Sequence, residues 1–158
     1  MSEAPTKPSS FHPTIPDVDQ LLISNQLTEM SRAGKWLADN AARLEFTEAV
    51  RCSLELVLDE ALSNAIKYAF DDNTAHSIVV RLKTTHTDVQ LEIEDDGKSF
   101  NPLDVPPPLS AKNPDEAKIG GLGIHLIRNY TDECRYLRID GKNLLTLTIR
   151  QPHLKTPD

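Results

Sequence analysis

Three groups of residues in this chain combine types and spacings that could do chemistry. Glu60, Asn64 and Lys67 stand at i, i+4 and i+7 of one segment with no Gly or Pro, which stacks a carboxylate, an amide and an ammonium along one line of a helix. Asp95-Asp96-Gly97 closes an alternating segment. An Asp at a strand end can accept a hydrogen bond from an exocyclic amine, and a neighbouring Gly lets a ligand approach the backbone. Gly120-Gly121-Leu122-Gly123 opens a helical pattern, and a glycine-rich helix start offers free N–H groups and the positive end of a dipole to phosphates. Taken singly, each has an ordinary reading as a solvated helix face, a turn or a loop. Together they describe a nucleotide, with its base at Asp95, its phosphates at the glycine helix and its metal ion at Asn64.

The flanking pattern supplies elements to position them. Leu54, Val57, Leu58, Ala61, Leu62, Ala65, Ile66 and Ala69 recur at threes and fours, the stripe of a helix lying on a core, with Thr47 as its cap and Phe70 near its end. An earlier helix is expected from a cap at Thr28 to about Arg43, with Met30, Ala33, Trp36, Leu37 and Ala41 inward. Trp36 reads as a core anchor. A short strand is expected between Leu21 and Gln26. Ile78, Val80 and Leu82, then Val89, Leu91 and Ile93, alternate with polar or outward positions and predict a hairpin that runs into Asp95. Residues 98–118 show no period and carry five prolines, the composition of a long loop. A short helix follows through Leu122, Leu126, Ile127 and Tyr130, and Cys134–Ile139 and Leu144–Ile149 form a last hairpin around Asp140-Gly141-Lys142-Asn143.

Composition bounds the rest. With 158 residues the chain makes one domain, expected over 21–151 between tails at 1–20 and 152–158, the first of which holds four prolines. A net charge of -7 disfavours direct binding of nucleic acid. Cys52 and Cys134 lack metal-ligand spacing and read as two buried, reduced thiols. Neither a signal peptide nor an apolar run of spanning length is visible, so a soluble, cytoplasmic protein is expected, away from membranes.

The order Glu60-x-x-x-Asn64, Asp95-x-Gly97, Gly121-x-Gly123 resembles the Bergerat-fold (GHKL) ATPases and kinases. The phrases Leu58-Asp59-Glu60-Ala61-Leu62-Ser63-Asn64-Ala65 and Gly121-Leu122-Gly123-Ile124-His125-Leu126 are most similar to the anti-sigma-factor serine/threonine kinases of bacterial partner-switching systems. That resemblance implies an α+β two-layer sandwich, with a mixed, mostly antiparallel sheet and helices on one face. It implies Glu60 as general base toward an attacking hydroxyl, Asn64 as the Mg2+ ligand and Asp95 as the adenine contact. Gly97 would admit the base, and Gly121 and Gly123 would cradle the phosphates of ATP beside Leu122, with Gly120 at a hinge. Lys67 could reach a phosphate, and Lys112, Lys118 or a partner would neutralise the terminal one. The implied partners are an antagonist protein carrying a Ser or Thr acceptor and a sigma factor or other regulator, with a homodimer as the assembly.

Two positions depart from the pattern. Tyr68 stands where these kinases usually have His, and Ser99 replaces the second glycine of Asp-x-Gly-x-Gly. Glu60 itself argues against a histidine kinase, which usually carries Asn there. Two other readings stay open from the residues: a nucleotide-binding module that sequesters a partner without phosphotransfer, and an ATPase that drives dimer closure.

Overall fold

The computed structural model describes residues 17–104 and 122–151. Its strands are β1 (Asp17–Ser24), β2 (Ser77–Thr84), β3 (Asp88–Asp95), β4 (Glu133–Ile139) and β5 (Lys142–Arg150), and its helices are α1 (Met30–Arg43), α2 (Glu48–Tyr68) and α3 (Leu122–Tyr130). The strands form one sheet in the order β1-β2-β3-β5-β4. Every ladder is antiparallel, so the parallel component allowed for in a mixed sheet is absent among the described residues.

Strand parity makes the two layers. Val89, Leu91 and Ile93 of β3 are buried on the side shared with Leu145, Leu147 and Ile149 of β5, and the stripe of α2 (Leu54, Val57, Leu58, Ala61, Leu62) meets them in a single core. Burying a leucine fully is worth about 1.5–3 kcal/mol, and Leu37, Leu54, Leu58 and Leu62 are all buried. The opposite face is polar. Glu92 is covered there by Lys83 at 2.7 Å, and Glu94 takes Arg81 at 3.0 Å, cross-strand pairs that let the face meet solvent.

Local chemistry sets the boundaries. The Thr47 side chain accepts from the Val50 N–H at 3.3 Å and caps α2 as expected. Thr28 does not cap α1. A 3-10 turn over Leu27–Glu29 leads into that helix, and Glu29 occupies the cap position, where its carboxylate pairs with Arg32 at 2.7 Å. β1 starts upstream of the expected strand. Its ladder with β2 begins at Asp17 opposite Thr84, held by Arg43 on Asp17 at 2.9 Å and by the Trp36 indole N–H on Asp19 at 3.3 Å. Trp36 is thus half-buried at the margin of the core rather than deep within it. The β4–β5 hairpin turns at Asp140 and Gly141, both at positive φ (51° and 75°), the two-residue geometry that matches strand twist.

Cys52 is exposed and Cys134 half-buried, both free. The expected burial of Cys52 fails because it lies off the inward stripe of α2, between Val50 and Leu54. Among the described residues no helix is long and apolar enough to cross a membrane.

Candidate functional site

Parity that buries β3 also delivers its carboxylate. Asp95 continues the row of Leu91 and Ile93, so its side chain enters the helix side of the sheet, where it is only 6% exposed. Its Oδ1 accepts the Gly97 N–H at 2.9 Å and an N–H of the Asn143 amide at 2.9 Å. Its Oδ2 takes no hydrogen bond among the described residues. Burial pushes the Asp95 carboxyl up from its ordinary value, against the two hydrogen bonds and the nearby Arg138 that pull it down.

Asp95 lines a small pocket, a cavity of about 30 Å³. Ala61, Asn64 and Ala65 of α2, with Ala69 at its C-cap, form one wall, Ile93, Asn143 and Leu145 of the sheet form the floor, and Phe100, Pro102 and Tyr136 close one side. Small residues on α2 make the space: each alanine leaves room that a leucine would fill. An apolar slot with one buried carboxylate at its end suits a flat heteroaromatic ring bearing an amino group.

Glu60 and Asn64 lie one turn apart on α2, and neither head group has a hydrogen-bond partner or ion pair among the described residues. Gly123, in the first turn of α3, comes against both. A methyl group at Gly123 would collide with Glu60 Oε2 and lie 3.8 Å from Asn64 Nδ2. The structure therefore brings together Glu60, Asn64, Asp95 and Gly123 across α2, β3 and α3. An unpartnered amide oxygen beside a carboxylate is a hard donor set, and Mg2+ needs few protein ligands when phosphates and water complete its octahedron. These residues fit such an ion.

Other expected residues fall elsewhere. Lys67 is exposed on α2 and does not line the pocket. Leu122 begins α3 at 55% exposure. Lys112, Lys118, Gly120 and Gly121 lie outside the described residues. Gly97 is required by the fold itself: a Cβ there would strike the Ala69 carbonyl oxygen and sit 2.7 Å from the Ala69 Cβ, just past the end of α2. Tyr68, 43% exposed, contacts the Phe100 ring with centroids 6.2 Å apart, at one edge of the pocket.

Sequence reasoning missed Asn143, Tyr136 and Phe100. Asn143 read as a turn residue beside Asp140-Gly141, yet it alternates with Leu145, Leu147 and Ile149, and that parity was the available sign that it faces the core.

Comparison with known proteins places the family and the fold. The histidine kinase-like ATPase domain family matches residues 23–149. Serine/threonine-protein kinase BtrW of Bordetella bronchiseptica is 35% identical over 130 residues, which cover 82% of this chain and 92% of that protein. Serine-protein kinase RsbW of Bacillus subtilis is 25% identical, over 66% of this chain and 68% of its own. Among solved structures, a Mycobacterium tuberculosis protein with RsbU and RsbW domains superposes with a TM-score of 0.55 at 12% identity, covering 85% of this chain and 34% of that one. This last likeness concerns the fold.

Proposed function

Because this chain belongs to the histidine kinase-like ATPase domain family, we propose that it is an ATP-dependent serine/threonine protein kinase whose substrate is a small antagonist protein in a partner switch. The 35% identity to a serine/threonine-protein kinase across most of both chains supports this reading. The observation that carries it is the meeting of Glu60, Asn64 and Gly123 beside the pocket that ends at Asp95.

ATP is the phosphoryl donor in this reading, and a bound Mg2+ would neutralise its phosphate charge. Asp95 accepts the adenine amino group on its free Oδ2, and the alanines of α2 admit the ring edge-on. The Asn64 amide oxygen would hold that ion. Gly123 leaves the space in which the Glu60 carboxylate sits, and that carboxylate would take the proton of the acceptor hydroxyl as its oxygen bonds to the terminal phosphorus of ATP and the bridging P–O bond breaks to release ADP. Positioning and charge neutralisation supply most of the rate in phosphoryl transfer. Gly120 and Gly121 would cradle the phosphates, and Lys67, Lys112, Lys118 or a partner would complete the charge balance. When not phosphorylating its antagonist, the protein holds a sigma factor or a comparable regulator. It works in the cytoplasm as a homodimer, without direct contact to nucleic acid.

The pocket assignment is tested by Asp95→Asn. The amide presents a donor where the amine needs an acceptor, so ATP affinity should fall about 10- to 100-fold by calorimetry. Unchanged affinity would remove adenine from this pocket.

A further inference from the structure

The acceptor geometry of Asp95 is set by a second residue. Asn143 lies opposite Asp95 on β3 and opposite Arg138 on β4, at the junction of three strands, and is 4% exposed. Its Nδ2 donates to Asp95 Oδ1 at 2.9 Å and to the Lys98 carbonyl at 2.8 Å. Its Oδ1 accepts from the Tyr136 hydroxyl at 2.5 Å and from Arg138 Nη1 at 2.9 Å. All four hydrogen-bonding positions of the amide are thereby used. Chemistry also fixes which way it faces, because Arg138 can only donate and the Lys98 carbonyl can only accept.

The consequence falls on Asp95. With Asn143 and the Gly97 N–H both on Oδ1, rotation of the carboxylate would break two hydrogen bonds. Oδ2 is the oxygen left for a ligand. Arg138 extends the brace by donating to the Gly97 carbonyl at 2.7 Å, so two successive carbonyls after Asp96 are tied to β4 and β5.

We propose that Asn143 is a positioning residue for nucleotide selection, holding Asp95 so that Oδ2 alone is presented to the exocyclic amino group of the base. The proposal rests on the adenine reading of the pocket. It separates the position from a purely structural one, because a brace that only stabilises the hairpin would affect every nucleotide alike.

The test measures the affinities of Mg2+-ATP and Mg2+-ITP, whose 6-oxo base lacks the amino group, for the unmodified protein, Asn143→Leu, Tyr136→Phe and Asp95→Asn, with folding checked by near-UV circular dichroism. Asn143→Leu should weaken ATP about tenfold and ITP little, so that preference for ATP collapses. Its ATP affinity should also be lost at a higher pH than in the unmodified protein, since the removed N–H helps keep the Asp95 carboxyl ionised. Tyr136→Phe, which frees one side of the amide, should shift both quantities the same way by less, and it carries the test alone if the leucine variant fails to fold. Equal weakening of ATP and ITP, or no change in folded variants while Asp95→Asn loses ATP, would overturn the role of Asn143 and leave the pocket standing. Retention of ATP by Asp95→Asn would overturn the adenine reading itself.

Discussion

A buried carboxylate with one unsatisfied oxygen is costly until something donates to it. In Asp95 that cost shows as a carboxyl pushed up by burial. For an acid whose folded value is raised, the stability of the protonated form is lost as pH rises through that value. The nucleotide-free protein should therefore be less stable at neutral pH than with a neutral side chain in place. Asn at this position keeps an oxygen for the Gly97 and Asn143 donors and turns its NH2 toward the pocket. Asp95→Asn is expected to raise the Tm of the nucleotide-free protein by a few degrees near pH 7, with the gain shrinking as pH falls through the raised carboxyl value and gone below the ordinary 3.8. A lower Tm across that range in thermal scans would contradict this account. Residues of this kind differ in how far the sequence reveals them. Glu60 and Asn64 were legible because helical period alone fixes their shared face. Asn143 was hidden by an adjacent Asp-Gly turn whose composition outweighed the parity of the strand it begins. Of Gly120, Gly121 and Lys118 only the sequence speaks.

The end of α2 and the end of β3 are joined by contacts that leave almost no slack. Gly97 lies under Ala69, and the Lys98 N–H donates to the Ala69 carbonyl at 2.8 Å. Gly97→Ala would drive a methyl into backbone rather than into a movable side chain, so it should destabilise by about 1–3 kcal/mol in denaturant unfolding. Loss of less than half a kcal/mol would show that the two ends can separate.

His76 makes a second tie between these elements. Its ring stacks on Phe70 at 4.6 Å, and its nitrogens meet Asp72 at 2.8 Å and Asp96 at 3.0 Å, with the Thr74 hydroxyl also within reach of Nε2. Hydrogen bonding to Asp72, then to Asp96, holds the imidazole above its ordinary 6.5 despite some desolvation. A raised histidine stabilises fully below 6.5 and loses that contribution as pH climbs through the folded value. NMR titration of His76 should give a midpoint above 6.5 that drops in Asp72→Asn; an unshifted midpoint in the unmodified protein would break the tie. Of these elements the hairpin and α2 were readable from period. β1 was read short because an edge strand, with Val18 and Leu22 exposed, loses the alternation that marks a half-buried one. The lead-in to α1 was misread because Thr28 has cap chemistry but lies inside a 3-10 turn.

At the scale of the whole molecule, one core among the described residues holds three helices on an antiparallel sheet, and that arrangement brings Asn64 of α2 and Asp95 of β3, distant in sequence, to the lining of one pocket. The sheet's outer face closes on itself through charge pairs across β2 and β3. The pocket lies on the helix side of the sheet. The central claim is that Glu60 serves hydroxyl-directed phosphotransfer, and it can be tested without knowing the acceptor. The unmodified protein and Glu60→Gln are added, with Mg2+ and ATP labelled at the terminal phosphate, to extract of the source organism. Labelling of an acid-stable protein band by the unmodified protein, reduced about 100-fold or more in Glu60→Gln while both bind ATP, is the predicted result. Equal labelling by the two proteins, or none by either despite ATP binding, would contradict it.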